Sequence, residues 1–156
     1  VKTKPSLLGF ITAIILATCP QTVNANPLTA TVVEVTDGDT VVLNQGGRSI
    51  TTQLACIDSP DWVNGQAQTN AENSKNRLTQ LISVGSSVQY YDLGSINSGR
   101  VLAVIFSGDR NINLQMVAEG QAQLHGSFRQ TCPNSADALA EAESNAKNQR
   151  LGMWSY

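Results

Sequence analysis

The sequence predicts an α+β domain that is mainly β, a five-stranded barrel with about three helices. Three observations carry this reading. Two turn signals, Asp37-Gly38-Asp39 and Asn44-Gln45-Gly46-Gly47, separate three runs rich in β-branched residues, which makes a three-stranded meander. A stretch with mostly helical spacing then interrupts the strands. Two more strand-like runs follow, and after them two helical patterns. The order β-β-β-α-β-β-α-α suits a small, partly open Greek-key barrel of the OB-fold type.

The elements follow in order. Residues 29–36 alternate and are β-branched, so they read as the first strand. Residues 40–43 are its hairpin partner, and residues 49–57 form the third strand. Asp58-Ser59-Pro60-Asp61 ends that strand, and Asn64-Gly65 continues the loop. Over residues 66–83, Ala67, Ala71, Leu78, Leu81 and Ile82 predict a helix that Gly85 stops. Residues 88–91 form a short strand, residues 94–99 a turn-rich connection, and residues 100–106 the fifth strand. Ile112, Leu114, Met116 and Val117 predict a short helix ending at Gly120. A last helix over residues 135–148 has a narrow apolar stripe of Leu139, Ala142 and Ala146. Trp154 is predicted to plug the core; Trp62, which follows the acidic loop, has two readings, contact with a substrate or, preferred, a lid packed on the barrel.

The composition is globular: 156 residues, 41% hydrophobic and 14% charged. Residues 1–25 stand apart. Lys2 and Lys4 precede an apolar, uncharged run over residues 7–19, and Val23-Asn24-Ala25 fits a small-x-small cleavage rule. This pattern predicts a secretory signal peptide, too short in its apolar part for an ordinary membrane span. It implies export to the periplasm or the medium, a domain over residues 26–156, and no stable membrane partner after cleavage. Removing residues 1–25 leaves 8 Lys+Arg against 12 Asp+Glu, a net charge of −4. Phosphate affinity comes largely from Lys and Arg, so this balance argues against a tight nucleic-acid binder but allows a small cationic site. Cys19 leaves with the leader. Cys56 and Cys132 remain, an even pair that predicts a disulfide in an exported chain; two buried free thiols are the alternative.

The chemistry gathers in the acidic turns. Asp39 lies at the tip of the first hairpin, and Asp58 and Asp61 follow the third strand. If the strands of the meander are neighbours, these carboxylates can meet at one rim. With backbone oxygens and water they would make a site for a hard cation such as Ca²⁺. Each turn alone has a plainer explanation, since Asp-Gly is good hairpin chemistry and Asp-Ser-Pro a good Asx-turn. His125 is alone, and no zinc spacing occurs.

Five motifs in order resemble the staphylococcal (thermonuclease-type) nuclease family. They are Thr36-Asp37-Gly38-Asp39-Thr40-Val41, Leu54-Ala55-Cys56-Ile57-Asp58-Ser59-Pro60-Asp61 and Gly99-Arg100-Val101-Leu102-Ala103-Val104. Asn113-Leu114-Gln115-Met116-Val117-Ala118-Glu119-Gly120-Gln121-Ala122 and Arg150-Leu151-Gly152-Met153-Trp154-Ser155 complete the set. The resemblance implies a Ca²⁺-dependent phosphodiesterase acting on DNA or RNA; a monomer is expected. In that family pattern Asp39, Asp58 and the Ser59 carbonyl would hold the metal. Asp61 would stand where a Glu orients or deprotonates the attacking water, and Arg100 where a guanidinium stabilises the phosphate.

The departures imply weakened activity. Gln53 stands in place of a second phosphate-clamping Arg, and Gln has neither the charge nor the fork. Asp61 is one methylene shorter than Glu. Asn97-Ser98 replaces a cation-tyrosine pair, and of the aromatics that follow Gly120-Gln121-Ala122 in the family pattern little survives but Phe128. Gln53 and Asp58 are also an odd number apart, so an ideal strand would point them to opposite faces; a bulge or bend between them is required if both line one site. The alternative reading is a catalytically inactive OB-fold binding module or structural domain.

Overall fold

The computed structural model describes residues 26–96 and 99–155. The leader assigned to residues 1–25, with Cys19, and the pair Asn97-Ser98 lie outside these. The elements are β1 (Leu28–Val35), β2 (Thr40–Gln45), β3 (Arg48–Leu54), β4 (Ile57–Asp58), β5 (Trp62–Val63), β6 (Gln66–Ala67) and α1 (Ala71–Leu81). They continue with β7 (Ser87–Ser95), β8 (Val101–Ser107), β9 (Arg110–Asn111), α2 (Ile112–Ala118), β10 (Gln123–Leu124), α3 (Phe128–Thr131) and α4 (Ala136–Asn148). A 3-10 turn over Gly152–Trp154 follows.

The main sheet runs β3-β2-β1-β7-β8-β9, and a parallel pairing of β3 with β8 closes it. The result is a five-stranded mixed barrel with an OB-fold arrangement, as the sequence pattern predicts. Its interior is filled by alternate residues of the strands, among them Val32, Leu43, Leu54, Tyr90 and Ile105, each at most 1% exposed. Ile112 and Met116 of α2, Leu78 of α1 and Leu139 of α4 cover the barrel from outside its strands. Arg77 of α1 and Glu119, just past α2, tie those helices with a two-pronged ion pair, and the Arg77 hydrogen bonds hold the Glu119 carboxyl below its usual range.

Where β3 runs out, a side chain replaces it. The last β3–β8 partners are Leu54 and Ala103. Beyond them Asn113, 2% exposed, accepts the Ile105 N–H through Oδ1 at 3.0 Å. Its Nδ2 donates to the carbonyls of Ala55 at 2.9 Å and Ala103 at 3.1 Å. One amide thus stands in for a missing stretch of strand, with the donor and acceptor placed to match.

Four expectations change. The third strand breaks at Ala55-Cys56, where Cys56 adopts φ 71°, before β4 resumes at Ile57. The predicted helix over residues 66–83 begins at Ala71, because Asn64 and Gly65 take positive φ and fold residues 62–67 into a small hairpin. Trp62 is 47% exposed in that hairpin and does not lie on the barrel. Trp154 is half-buried, with the Lys147 ammonium 4.5 Å from its ring centre, so it closes the edge of the domain without entering the core.

Cys56 and Cys132 form the predicted disulfide, with Cα atoms 6.3 Å apart. It joins the turn after β3 to the residue that ends α3.

Candidate active site

The tip of the β1–β2 hairpin is folded by its own acids. Asp37 Oδ1 accepts the Asp39 N–H at 3.0 Å, an Asx-turn that sets the direction of the Asp39 side chain. Gly38 is buried between α1 and the Asp58 loop. A Cβ there would lie 2.6 Å from Ser74 Cβ and 2.7 Å from Ser59 Oγ, so only glycine lets the three segments meet.

Asp39 is the centre of this contact. It is 7% exposed. Its Oδ2 accepts the Ser59 N–H at 3.1 Å and its Oδ1 accepts the Thr40 hydroxyl at 2.9 Å. Its own carbonyl accepts the Leu54 N–H at 2.7 Å. Burial pushes the Asp39 carboxyl up to about 7; the Ser59 N–H opposes this, and the Asp37 charge adds to it.

Asp58 immediately precedes Ser59, whose N–H Asp39 accepts. The break at Ala55-Cys56 turns the chain, and β4 pairs with β10 through Asp58↔Gln123 and Ile57↔Leu124. The Asp58 carboxylate stays exposed, and its Oδ2 accepts from Gln123 Nε2 at 3.2 Å. The His125 N–H donates to the Cys56 carbonyl, and Glu143 of α4 accepts the Leu124 N–H, so β10 is itself anchored. Ser59 is buried, and its Oγ has no hydrogen-bond partner.

Gln53 lies opposite Thr40 in β2 and opposite Leu102 in β8. Arg100 is half-buried immediately before β8, and its carbonyl accepts the Ile96 N–H. Gln53 in β3 and Arg100, one residue ahead of the neighbouring β8, therefore lie on adjacent segments of the sheet. The spacing conflict between Gln53 and Asp58 is met by the Ala55-Cys56 turn, which supplies the bend between them.

Asp61 behaves differently. Its carboxylate is exposed, and Oδ1 accepts the N–H of its neighbour Trp62 at 2.6 Å. Its backbone is clamped by Gln68, whose Oε1 accepts the Asp61 N–H and whose N–H donates to the Asp61 carbonyl. The rim thus joins Asp39 to the Asp58-Ser59 segment and leaves Asp61 on the adjoining hairpin. Among the described residues no three His, Cys, Asp or Glu side chains form a group able to hold a metal ion. Any cation here would rely on two carboxylates, a carbonyl and water.

Several contributors escape a reading of the sequence. Asp37 and Thr40 orient Asp39, Gln123 holds Asp58, and Gln68 holds Asp61. Asp37 and Thr40 flank Asp39 in the first motif, which was a usable signal. Gln123 and Gln68 carried none, because their partners are set by pairings between distant or newly folded segments.

A family model described as staphylococcal nuclease homologue matches residues 51–156. A protein of Haemophilus influenzae named as an uncharacterized endonuclease is 32% identical over 142 residues, covering 90% of this chain and 71% of its own. The micrococcal nuclease of Shigella flexneri is 33% identical over 133 residues, with 80% and 72% covered. The thermonuclease of Staphylococcus hyicus is 24% identical over 135 residues, with 85% and 79% covered.

Proposed function

Because this chain belongs to the staphylococcal nuclease homologue family, we propose that it hydrolyses phosphodiester bonds of DNA or RNA at the rim built by Asp39, Asp58 and Ser59. The observation that carries the reading is Asp39 itself. A carboxylate 7% exposed, packed beside Asp37 and raised to about 7, is costly to ionise and gains strongly from a nearby cation. The donors available are oxygens, the carboxylates of Asp39 and Asp58 and the Ser59 carbonyl, a set that fits Ca²⁺ better than a thiolate- or imidazole-seeking metal.

The bound cation would polarise the phosphoryl oxygen and lower the pKa of water. The chain's own residues supply the rest. The Ser59 N–H and the Thr40 hydroxyl hold Asp39 in one rotamer, and Gln123 steadies Asp58. Asp61 is assigned to orient the attacking water and take its proton, with Oδ1 fixed by Trp62 N–H and Oδ2 the accepting atom. Arg100 is assigned to stabilise charge on the phosphate, with Gln53 donating hydrogen bonds beside it. Gln53 lacks the charge of an arginine, and one missing transition-state donor lowers the rate roughly a hundredfold to a thousandfold. Asp61, a methylene short of Glu, lowers it further. The proposed enzyme is therefore slow. Export is proposed too, supported by the pattern of residues 1–25 and by a disulfide that an oxidising compartment would maintain.

The test uses purified protein and single-stranded DNA, with Ca²⁺ or with EGTA. Cleavage that requires Ca²⁺ and disappears in Asp58→Ala supports the reading, and Gln53→Arg should raise kcat. Absence of both cleavage and calorimetric Ca²⁺ binding would reject it and leave the inactive binding module.

A further inference from the structure

The hairpin beside Asp61 is built unlike the rest of the molecule. Residues 61–69 are all exposed, and both strands, Trp62–Val63 and Gln66–Ala67, lack a buried face. Trp62 is 47% and Val63 51% exposed. Such a ribbon gains little from packing, so polar contacts must hold it. Gln68 brackets the Asp61 backbone at 2.8 and 2.9 Å, and the Asp61 carboxylate takes the Trp62 N–H at 2.6 Å. The start of the Trp62 residue is thereby fixed to the Asp61 carboxylate, while its indole ring is left in water.

We infer that Trp62 is a stacking platform for one unpaired base next to the phosphate being cleaved, an assignment that rests on the nuclease reading for the identity of its ligand. An indole offers a flat apolar face of nucleobase size, and stacking on it tolerates any base. Bases within a duplex are already stacked, so the platform selects single strands. A protein partner fits less well. Stable interfaces bury on the order of 800 Å² on each partner, and the apolar surface here is two side chains on a ribbon whose remaining residues are mostly polar. The acidic neighbours Asp58 and Asp61 also disfavour an acidic peptide, whereas the face of a base is uncharged.

The sequence has two tryptophans, which makes the test direct. In Trp154→Phe, Trp62 is the sole indole. Its emission is followed while oligothymidylate of eight nucleotides is added in EDTA, so that no cleavage intervenes, and again with an abasic octamer of the same charge. Quenching by oligothymidylate but not by the abasic chain is expected. By anisotropy, Trp62→Leu should bind labelled oligothymidylate about tenfold more weakly than the unaltered protein, and Trp62→Phe should keep most of the affinity. If Trp154→Phe does not fold, the Leu and Phe variants decide alone. Equal quenching by both oligomers, or unchanged binding in Trp62→Leu, would overturn the inference. So would a dimer that Trp62→Leu dissociates with DNA binding unchanged, since the hairpin would then be a self-association contact. Base-dependent quenching in a protein that never cleaves DNA with Ca²⁺ would reject the nuclease reading and keep the platform.

Discussion

Replacing Asn113 by Ala should be among the most damaging single changes to this barrel. The substitution removes three hydrogen bonds at once. Ala103 keeps a second donor, the Ala55 N–H at 2.7 Å. The Ile105 N–H and the Ala55 carbonyl lose the amide that serves them, in a place where Asn113 is 2% exposed. Each stranded buried group costs ~1–3 kcal/mol, and the third bond about 1 more. The sum is on the order of 4 kcal/mol, a large share of the stability of a domain this size. Unfolding entropy near 2.1 cal/mol/K per residue converts this to a fall in Tm of roughly 15 °C. Urea melts of the oxidised protein at 25 °C measure it, with the midpoint expected about 2 M lower and m unchanged. Asn113→Asp sharpens the test. Its shape is the same and it still accepts from Ile105, but at neutral pH it points an anion at two carbonyls. It should be at least as unstable as the Ala variant and should recover in part when protonated. A loss below about 1 kcal/mol in Asn113→Ala, or a fully stable Asn113→Asp at pH 7, would refute the claim that this amide substitutes for the missing strand.

Other outcomes follow from the same geometry. Gly38→Ala drives a methyl into Ser59 and Ser74, at a cost of ~1–3 kcal/mol; calorimetry should show weaker Ca²⁺ binding, and an unchanged affinity with unchanged Tm would contradict the contact. The Asp39 carboxyl is raised in the folded state, so it stabilises the metal-free protein fully below about 4, and that contribution is lost as pH rises towards 7. Urea melts in EGTA should therefore weaken across that window, on the order of 4 kcal/mol at most, and Asp39→Asn should flatten the profile. Calcium at the proposed site needs the ionised form, so its affinity should climb as pH rises towards 7 and level off above it. Reducing the Cys56–Cys132 bridge, which spans 76 positions, should cost roughly 4 kcal/mol by chain entropy; comparison of melts with and without reductant, against Cys132→Ser, checks this.

The barrel is legible in the amino-acid pattern, because the information for it is local and repeated. Alternation in residues 29–36 sets a strand whichever partner it meets, Asp37-Gly38-Asp39 sets a turn, and Gly120-Gln121-Ala122 sets a helix end. The disulfide was legible from the count of cysteines, and the acidic turns from their spacing. Which groups share a contact depends on how distant segments pack. Asn113 appeared in a motif, but its role depends on where β3 stops against β8. Asp58 meets Gln123 because β10 returns across 65 positions of chain. Trp62 is left in solvent because Asn64 and Gly65 take positive φ and close a ribbon ahead of the helix. Hydrophobic patterning reports which face of an element is buried. It carries no record of which distant element arrives there, and that arrival is what raises the pKa of Asp39 and closes the rim around it.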